Sequence, residues 1–318
     1  MGELAFVVPT VGRPSLCTLL DRLPAHGGEV IVVDDRRVKD PPLWTPRPVR
    51  VIPGPARGPA AARNAGWRAT DARWVVFLDD DVIPGPGWWP DLLADLDQPP
   101  GVAGVQARIL VPQGNPGEHT DWAANAAGLA GAEWITADMA YRREALEAVG
   151  GFDERFPRAY REDTDLAYRV RSSGRELAVG RRRTLHPVRP EGRWISLRLQ
   201  RGNADDALLR RLYGTDWHER LGVPHGRRRI HALTTAAALT ALACATAKRA
   251  KGVRLCAATI WAVATADFII RRRRHAPAEP LSSLLVTSVI IPPLAVGHWL
   301  HGWWRHRRLP PKVRGTHK

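Results

Sequence analysis

The N-terminal part of the chain alternates short apolar runs with helical spacing. Leu4–Val8, Glu29–Val33, Val49–Ile52 and Trp74–Leu78 are β-branched or aromatic runs closed by Pro, Gly or Asp, the pattern of strands buried on both faces. Between them, Pro14–Leu23 and the Ala-rich Gly58–Thr70 are spaced as helices, the first with a proline near its start where a missing N–H costs little. Val102–Val111 and Trp134–Tyr141 are predicted as further strands, and Arg142–Val149 as a short helix stopped by Gly150-Gly151. Thr164–Ser172 puts Leu166, Ala167 and Val170 on one helical face, and Ile195–Leu212 is predicted as one longer amphipathic helix. Strands alternating with helices predict an α/β fold, a mostly parallel sheet flanked by helices. From Ile230 the pattern changes to three apolar segments, Ile230–Ala247, Leu255–Ile270 and Leu284–Leu300, the last interrupted by Pro292-Pro293. The expected division is therefore an α/β body over 1–225 and a helical region over 226–318, ending in a basic, Pro-containing terminus expected to be disordered.

Charge sharpens that division. The 318 residues carry 47 Lys+Arg against 32 Asp+Glu, a formal +15. Gly226–Lys318 holds 17 basic and 2 acidic residues, which leaves 30 of each in the body. A neutral body argues against a core that tracks nucleic-acid phosphates. Three scattered cysteines are too few for a disulfide framework or a zinc site. The start, MGELAFVVPT, has no basic segment ahead of a long apolar run, so a cytosolic body is expected.

The candidate chemistry sits where predicted strands end, which is where open α/β sheets bind ligands. Three adjacent carboxylates, Asp79-Asp80-Asp81, repel one another unless a cation or donors compensate them. The alternating pair Asp79 and Asp81 suits ribose and metal contacts; a solvated turn before Ile83-Pro84-Gly85 is the plainer reading. In GPAAARNAGW, Arg63 could reach a phosphate and Asn64 could cap or hold the strand end beside the acidic cluster. Asp34-Asp35 could accept hydrogen bonds from a base or ribose. Glu162-Asp163 lies at a helix N-terminus, where capping explains one carboxylate and leaves the other as a general base. His186 is a candidate metal ligand. Trp88, Trp89, Trp122 and Trp134 could form an aromatic platform for an acceptor, against a plain core-packing role. The segment Pro112–Gly131 shows no assignable feature.

The ordered set VVPTVGRPSL, VVDD, GPAAARNAGW, VVFLDDD, ADMAYRREALEAVGGFDERF, REDTDLAYR and the later His186 resembles the family-2 glycosyltransferases of GT-A fold, from about Leu4 to about Tyr213. The resemblance implies a GT-A, Rossmann-like sheet and an inverting transfer of a sugar from a nucleotide-diphosphate donor. It places Pro9, Thr10 and Asp34 or Asp35 at the nucleotide edge and Arg63 at the diphosphate. Asp79 and Asp81 match the D-x-D motif for ribose and Mg²⁺ or Mn²⁺, with His186 a further metal or diphosphate ligand. Asp163 matches the general base, Glu162 being the second choice. Metal and Arg would offset charge growing on the leaving diphosphate.

The C-terminal segments are each imperfect as membrane spans: the first is marginal in length, the second carries Asp267, and the third contains the proline pair. Basic residues on both sides of the hairpin conflict with one-sided charge placement, so interfacial or partly inserted helices at the cytosolic membrane face are expected. A soluble helical subdomain is the alternative. The expected partners are a nucleotide-sugar donor, a glycan, lipid-linked or small-molecule acceptor and a membrane surface, with no nucleic acid. The rival functions are a nucleotidyltransferase of similar fold and a non-catalytic nucleotide- or nucleic-acid-binding scaffold.

Overall fold

The computed structural model describes residues 2–312 except 113, 116 and 118. The strands are β1 (Leu4–Thr10), β2 (Glu29–Asp34), β3 (Arg50–Pro53), β4 (Trp74–Leu78), β5 (Ile83–Pro84), β6 (Val102–Leu110), β7 (Asp138–Arg142) and β8 (Glu176–Leu185). They form one eight-stranded sheet in the order β3-β2-β1-β4-β7-β6-β8-β5. Parallel pairs join β3, β2, β1 and β4, and also β6 and β8, while β7 runs antiparallel between β4 and β6 and β5 antiparallel on β8. The carboxyl ends of β1, β2, β4, β6 and β8 therefore share one edge.

The helices are α1 (Ser15–Arg22), α2 (Pro59–Arg68), α3 (Trp88–Leu96), α4 (Asp121–Ala127), α5 (Arg143–Val149) and α6 (Glu162–Ser172). Alternation along the buried strands sorts all but α4 onto two faces. Phe6, Val8, Val76 and Leu78 pack with Leu16, Leu19 and Leu20 of α1 and Trp88 and Leu92 of α3. Val7, Ile31, Val33, Val75 and Phe77 pack with Ala60 and Ala62 of α2, Leu146 of α5 and Leu166 and Val170 of α6.

The chain divides into two compact units: residues 1–112 with 127–188, and residues 113–126 with 189–318. The first holds the sheet. The second contains α4 up to Ala126, then α7 (Ile195–Leu199), α8 (Asn203–Tyr213), α9 (Trp217–Arg220), α10 (Arg228–Thr246), α11 (Lys251–His275) and α12 (Leu281–His306). This helical unit starts earlier in the chain than the composition change near Gly226. Inside it, Gly302 lies so close to Ala204 that an added Cβ would stand 2.5 Å from its carbonyl oxygen.

Several expected elements are corrected. Ile195–Leu212 is not one helix: a 3₁₀ turn at Gln200–Gly202, where glycine disfavours the α-helix, separates α7 from α8. The strand expected at Trp134 starts at Asp138, because Trp134 adopts a left-handed φ of 63°. Pro292-Pro293 does not interrupt α12, which continues through both residues to His306. The unassigned stretch after Pro112 contains α4 and a 3₁₀ turn at Gly128–Gly131. Strand β8 and helix α3 went unread in the sequence. The end of the basic terminus, 313–318, lies outside the described residues.

Candidate active site at the strand ends

The shared edge gathers the candidate residues. Asp79 follows β4, its N–H donating to the carbonyl of Ala137 at 3.1 Å. His186 follows β8, its N–H donating to Leu110 at the end of β6. The intervening step is made by β5: Ile83 pairs antiparallel with Leu185, which turns the Asp79–Val82 loop back beside His186. One ligand atom from each of Asp79, Asp81 and His186 lies within 4.8 Å of the others. The His186 Nε2 to Asp81 Oδ1 distance is 3.8 Å. Two carboxylates and an imidazole that converge from two strand ends are a donor set suited to Mn²⁺ or Mg²⁺, with room for ligand oxygens from a substrate.

The third carboxylate of the run does different work. Asp80 is 1% exposed and accepts hydrogen bonds from the Thr10 hydroxyl and from Arg13 Nη1, both at 2.6 Å. It fixes the end of β1 against the end of β4. The alternation expected for Asp79 and Asp81 thus has a structural counterpart: the middle aspartate is turned inward and compensated.

Arg63 lies in α2, 2% exposed. Its Nη1 donates to Glu162 Oε1 and its Nη2 to Asp79 Oδ1, each at 2.8 Å. The guanidinium also lies over the Phe152 ring. Arg63 therefore sits beneath the cleft, joining the metal-type carboxylates to the acidic start of α6. Gly58 makes this placement possible. It holds φ at 100° at the head of α2, and a Cβ there would stand 2.2 Å from the carbonyl oxygen of Pro157.

Asn64 does not hold the strand end beside the acidic cluster. Its amide donates to the carbonyl of Phe152 and to Glu154, and its Oδ1 accepts from the Phe152 N–H and the Trp67 indole. It clamps α2 to the Gly150–Phe156 loop. Gly151, at φ 74°, has no space for a Cβ beside Asn64 and Trp67.

Helix α6 begins at Glu162, directly after Arg161 in a left-handed conformation at φ 77°. Glu162 is buried, and its second oxygen, Oε2, has no hydrogen-bond partner. Burial, and next the charge of Asp163, raise its pKa above the ordinary glutamate value. Asp163 accepts from the Thr164 N–H at 2.7 Å, and burial likewise raises its pKa. The Tyr141 hydroxyl, buried without a hydrogen-bond partner, is raised too, by burial and then by Asp163. Two neighbouring carboxylates at this depth share their protons as a pair and retain the last one at higher pH than either would alone.

The nucleotide-edge candidates are placed at the same edge. Pro9 and Thr10 end β1. Asp34 ends β2 with both oxygens in the fork of Arg36, at 2.8 Å each, which holds it below the usual carboxylate range. Asp35 accepts from the N–H groups of Ala56 and Gly58 and so shapes the turn into α2. The roles of Arg13 and Arg36 had no distinct sequence signal among 42 arginines.

Three of the four candidate tryptophans belong to the sheet-bearing unit, where each packs on its core. Trp88 is a core residue whose indole donates to Asp138 and Thr184, Trp89 packs near Phe6, and Trp134 packs on the other face of the sheet. Trp122 belongs to the helical unit, donating to the carbonyl of Arg189. Below the cleft floor, Arg182 is fully buried between Asp138 and Asp95. A cavity of about 590 Å³ lies at the opposite, amino edge of the sheet, around Leu4, Glu29 and Asp71, away from these groups.

Residues 7–150 match the family described as glycosyl transferase family 2. A pre-mycofactocin glycosyltransferase of Mycobacterium tuberculosis is 34% identical over 170 residues, covering 48% of this chain and 36% of that protein. The O-antigen biosynthesis protein RfbC of Myxococcus xanthus is 26% identical over 228 residues, covering 58% of this chain and 17% of that protein. The chain thus spans well under half the length of these relatives. Among solved structures, a mannosyltransferase from Pyrobaculum calidifontis in complex with GDP-Man and Mn²⁺ is similar with a TM-score of 0.57 and 19% identity, covering 95% of this chain and 87% of that one. That likeness extends to the fold.

Proposed function

We propose that this chain, which belongs to the family-2 glycosyltransferases, moves a glycosyl group with inversion from a nucleoside-diphosphate sugar to an acceptor hydroxyl. The observation that carries the reading is the convergence of Asp79, Asp81 and His186 at the strand edge, joined through Arg63 to the Glu162-Asp163 pair. A divalent ion held by that triad would supply positive charge to the leaving diphosphate. Arg63 holds the Asp79 carboxylate in place for this task. Asp163, at the partly exposed start of α6, accepts the proton of the acceptor hydroxyl, and its raised proton affinity suits a base working near neutral pH. One base on one face and a diphosphate leaving group on the other describe a single displacement, hence inversion. Thr10, Asp34 and Asp35 border the nucleotide side.

The names of the relatives, an O-antigen biosynthesis protein and a pre-mycofactocin glycosyltransferase, support a role in building cell-envelope glycans or glycosylating a related acceptor. Mn²⁺ is favoured over Mg²⁺ by the imidazole in the donor set. The test is thermal unfolding with UDP- and GDP-sugars, with and without Mn²⁺. A donor with Mn²⁺ should raise Tm in the wild type and leave Asp81→Ala unchanged. No shift with any donor would overturn the reading. Pyrophosphate release from a nucleoside triphosphate would favour a nucleotidyltransferase instead.

A further inference from the structure

The last three helices have their polarity inverted, unlike α8, which buries Leu208, Leu209 and Leu212. In α10 the buried residues are Thr234 and Ala237, and in α11 they are Ala257, Thr265 and Arg272. Helix α12 buries Ser283, Thr287, Ser288, Ala295 and Gly302 beside only two large aliphatic residues, Leu284 and Ile291. The large apolar side chains point outward: Leu239 and Leu242 are each 62% exposed, Leu255 69% and Val263 64%. Val289 and Trp303 are exposed on α12. A helical bundle in water buries Leu and Ile and exposes its polar residues, because apolar area removed from water stabilises the fold by about 25 cal/mol per Å². Here small and polar residues make the helix–helix contacts and bulky apolar ones face out, the arrangement that lipid solvent favours.

The inward polar groups are satisfied where they meet. Arg272 pairs with both oxygens of Asp121 and donates to Thr287 and Ser288. Outside, the basic side chains gather toward the helix ends, and the one acidic residue of α11, Asp267, is paired with Arg227 and Arg271. Lys248, Arg249, Lys251 and Arg254 surround the α10–α11 turn, Arg271, Arg273 and Arg274 close α11, and Arg305, Arg307 and Arg308 follow Trp303-Trp304 at the end of α12. Helices α11 and α12 are 25 and 26 residues long, each with an apolar window long enough to cross a membrane. At 1.5 Å per residue they exceed the roughly 30 Å of a bilayer's hydrocarbon. At about 100° per residue the exposed apolar residues of α11, Val253, Leu255, Ile260 and Val263, fall within an arc of about 160°, on the side away from the buried Ala257, Thr265 and Arg272.

We infer that the outward surface of α10, α11 and α12 is solvated by the acyl chains of an anionic bilayer, with the Arg, Lys and Trp residues at the helix ends set among its headgroups. The occupant follows from charge complementarity, since residues 226–318 carry 17 basic and 2 acidic side chains. This is deeper contact than the surface attachment read from the sequence, and it holds whatever reaction the sheet-bearing unit performs.

Cys256, exposed on α11, is a built-in reporter. The full chain is mixed with phosphatidylcholine–phosphatidylglycerol vesicles and with pure phosphatidylcholine vesicles, floated, and washed with high salt and alkaline carbonate. The protein should float with the mixed vesicles and survive both washes. A membrane-impermeant maleimide should modify Cys256 roughly tenfold more slowly there than in detergent-unfolded protein. A Leu239→Asp/Val263→Asp variant with unchanged helical circular dichroism should lose resistance to carbonate. Release by salt alone would overturn acyl contact in favour of surface adsorption. A soluble oligomer that protects Cys256 without lipid would assign the face to a second copy, and a soluble monomer that ignores vesicles would overturn the inference outright.

Discussion

Arg63 and Glu162, 99 positions apart, meet in a 2.8 Å hydrogen bond with both side chains only 2% exposed. The same guanidinium holds Asp79, so one buried cation compensates two carboxylates, one near in sequence and one 99 positions away. Removing a partner from such a set leaves uncompensated buried charge, at a cost of about 3–5 kcal/mol. Arg63→Met should therefore lose stability on that order in urea unfolding at neutral pH, with part of the loss recovered in acid as the carboxylates take up protons. Arg63→Lys keeps the charge but not the fork that reaches both partners, and should fall between.

The neighbouring aspartates should separate under substitution. Asp80 accepts from Thr10 and Arg13 and is not one of the three grouped ligands. Asp80→Asn should lower Tm yet preserve a Mn²⁺-dependent rise in it. Asp81→Asn and His186→Ala should leave the apo Tm within a few degrees and abolish that rise, because each removes one ligand of three. Equal Mn²⁺ responses in all three variants would place the ion elsewhere.

How far the sequence could be read differs by kind of signal. Leu4–Thr10, Glu29–Asp34 and Trp74–Leu78 are strands buried on both faces, and such runs announce themselves by composition alone. Their acidic ends, where the strand periodicity stops, lie together at one edge of the sheet. Strand β8 was invisible for the opposite reason. It carries Arg181-Arg182-Arg183, which reads as a solvated basic run, and only tertiary partners, Asp95 and Asp138, make Arg182 a core residue. The Gly150–Phe156 segment was legible as a motif, but its tie to Asn64 crosses 88 positions and has no local signature. Trp88 carried the mirrored ambiguity: an aromatic that could face a ligand or the core was settled by its bonds to Asp138 and Thr184.

Proton affinity at the start of α6 gives a test in pH. Glu162 and Asp163 are both raised above their ordinary values, chiefly by burial. A carboxyl whose folded pKa exceeds its unfolded one adds stability that is fully present below the unfolded pKa and lost as pH rises through the folded one. The apo protein should accordingly lose stability as pH climbs from about 4.5, and Glu162→Gln should flatten that slope in urea midpoints taken from about pH 5 to about pH 8. In turnover the same pair should set an acid limb in kcat/KM above the normal carboxylate range. Asp163→Asn should reduce kcat by at least about a hundredfold, as loss of a general base does, with a smaller change in donor KM.

The buried Arg182 network allows a sharper separation of packing from charge. Arg182 is fully buried, its Nε on Asp138 and its Nη1 on Asp95, with the carbonyl of Val105 also accepting. Asp138 in turn receives the indole of Trp88 and the hydroxyl of Thr184, one residue ahead of Leu185 and the turn to His186. Arg182→Met strands two buried carboxylates and should cost about 3–5 kcal/mol. Adding Asp138→Leu removes one of those charges together with its desolvation, so the double variant should be more stable than Arg182→Met alone. The coupling in a double-mutant cycle should then be at least about 1–3 kcal/mol, measured by urea unfolding. Strict additivity would mean that the arginine and aspartate are held apart by water rather than in direct contact. Because Thr184 loses its acceptor in the double variant, the register of β8 beside Ile83 should loosen, and Mn²⁺-dependent stabilisation should weaken even where global stability is recovered.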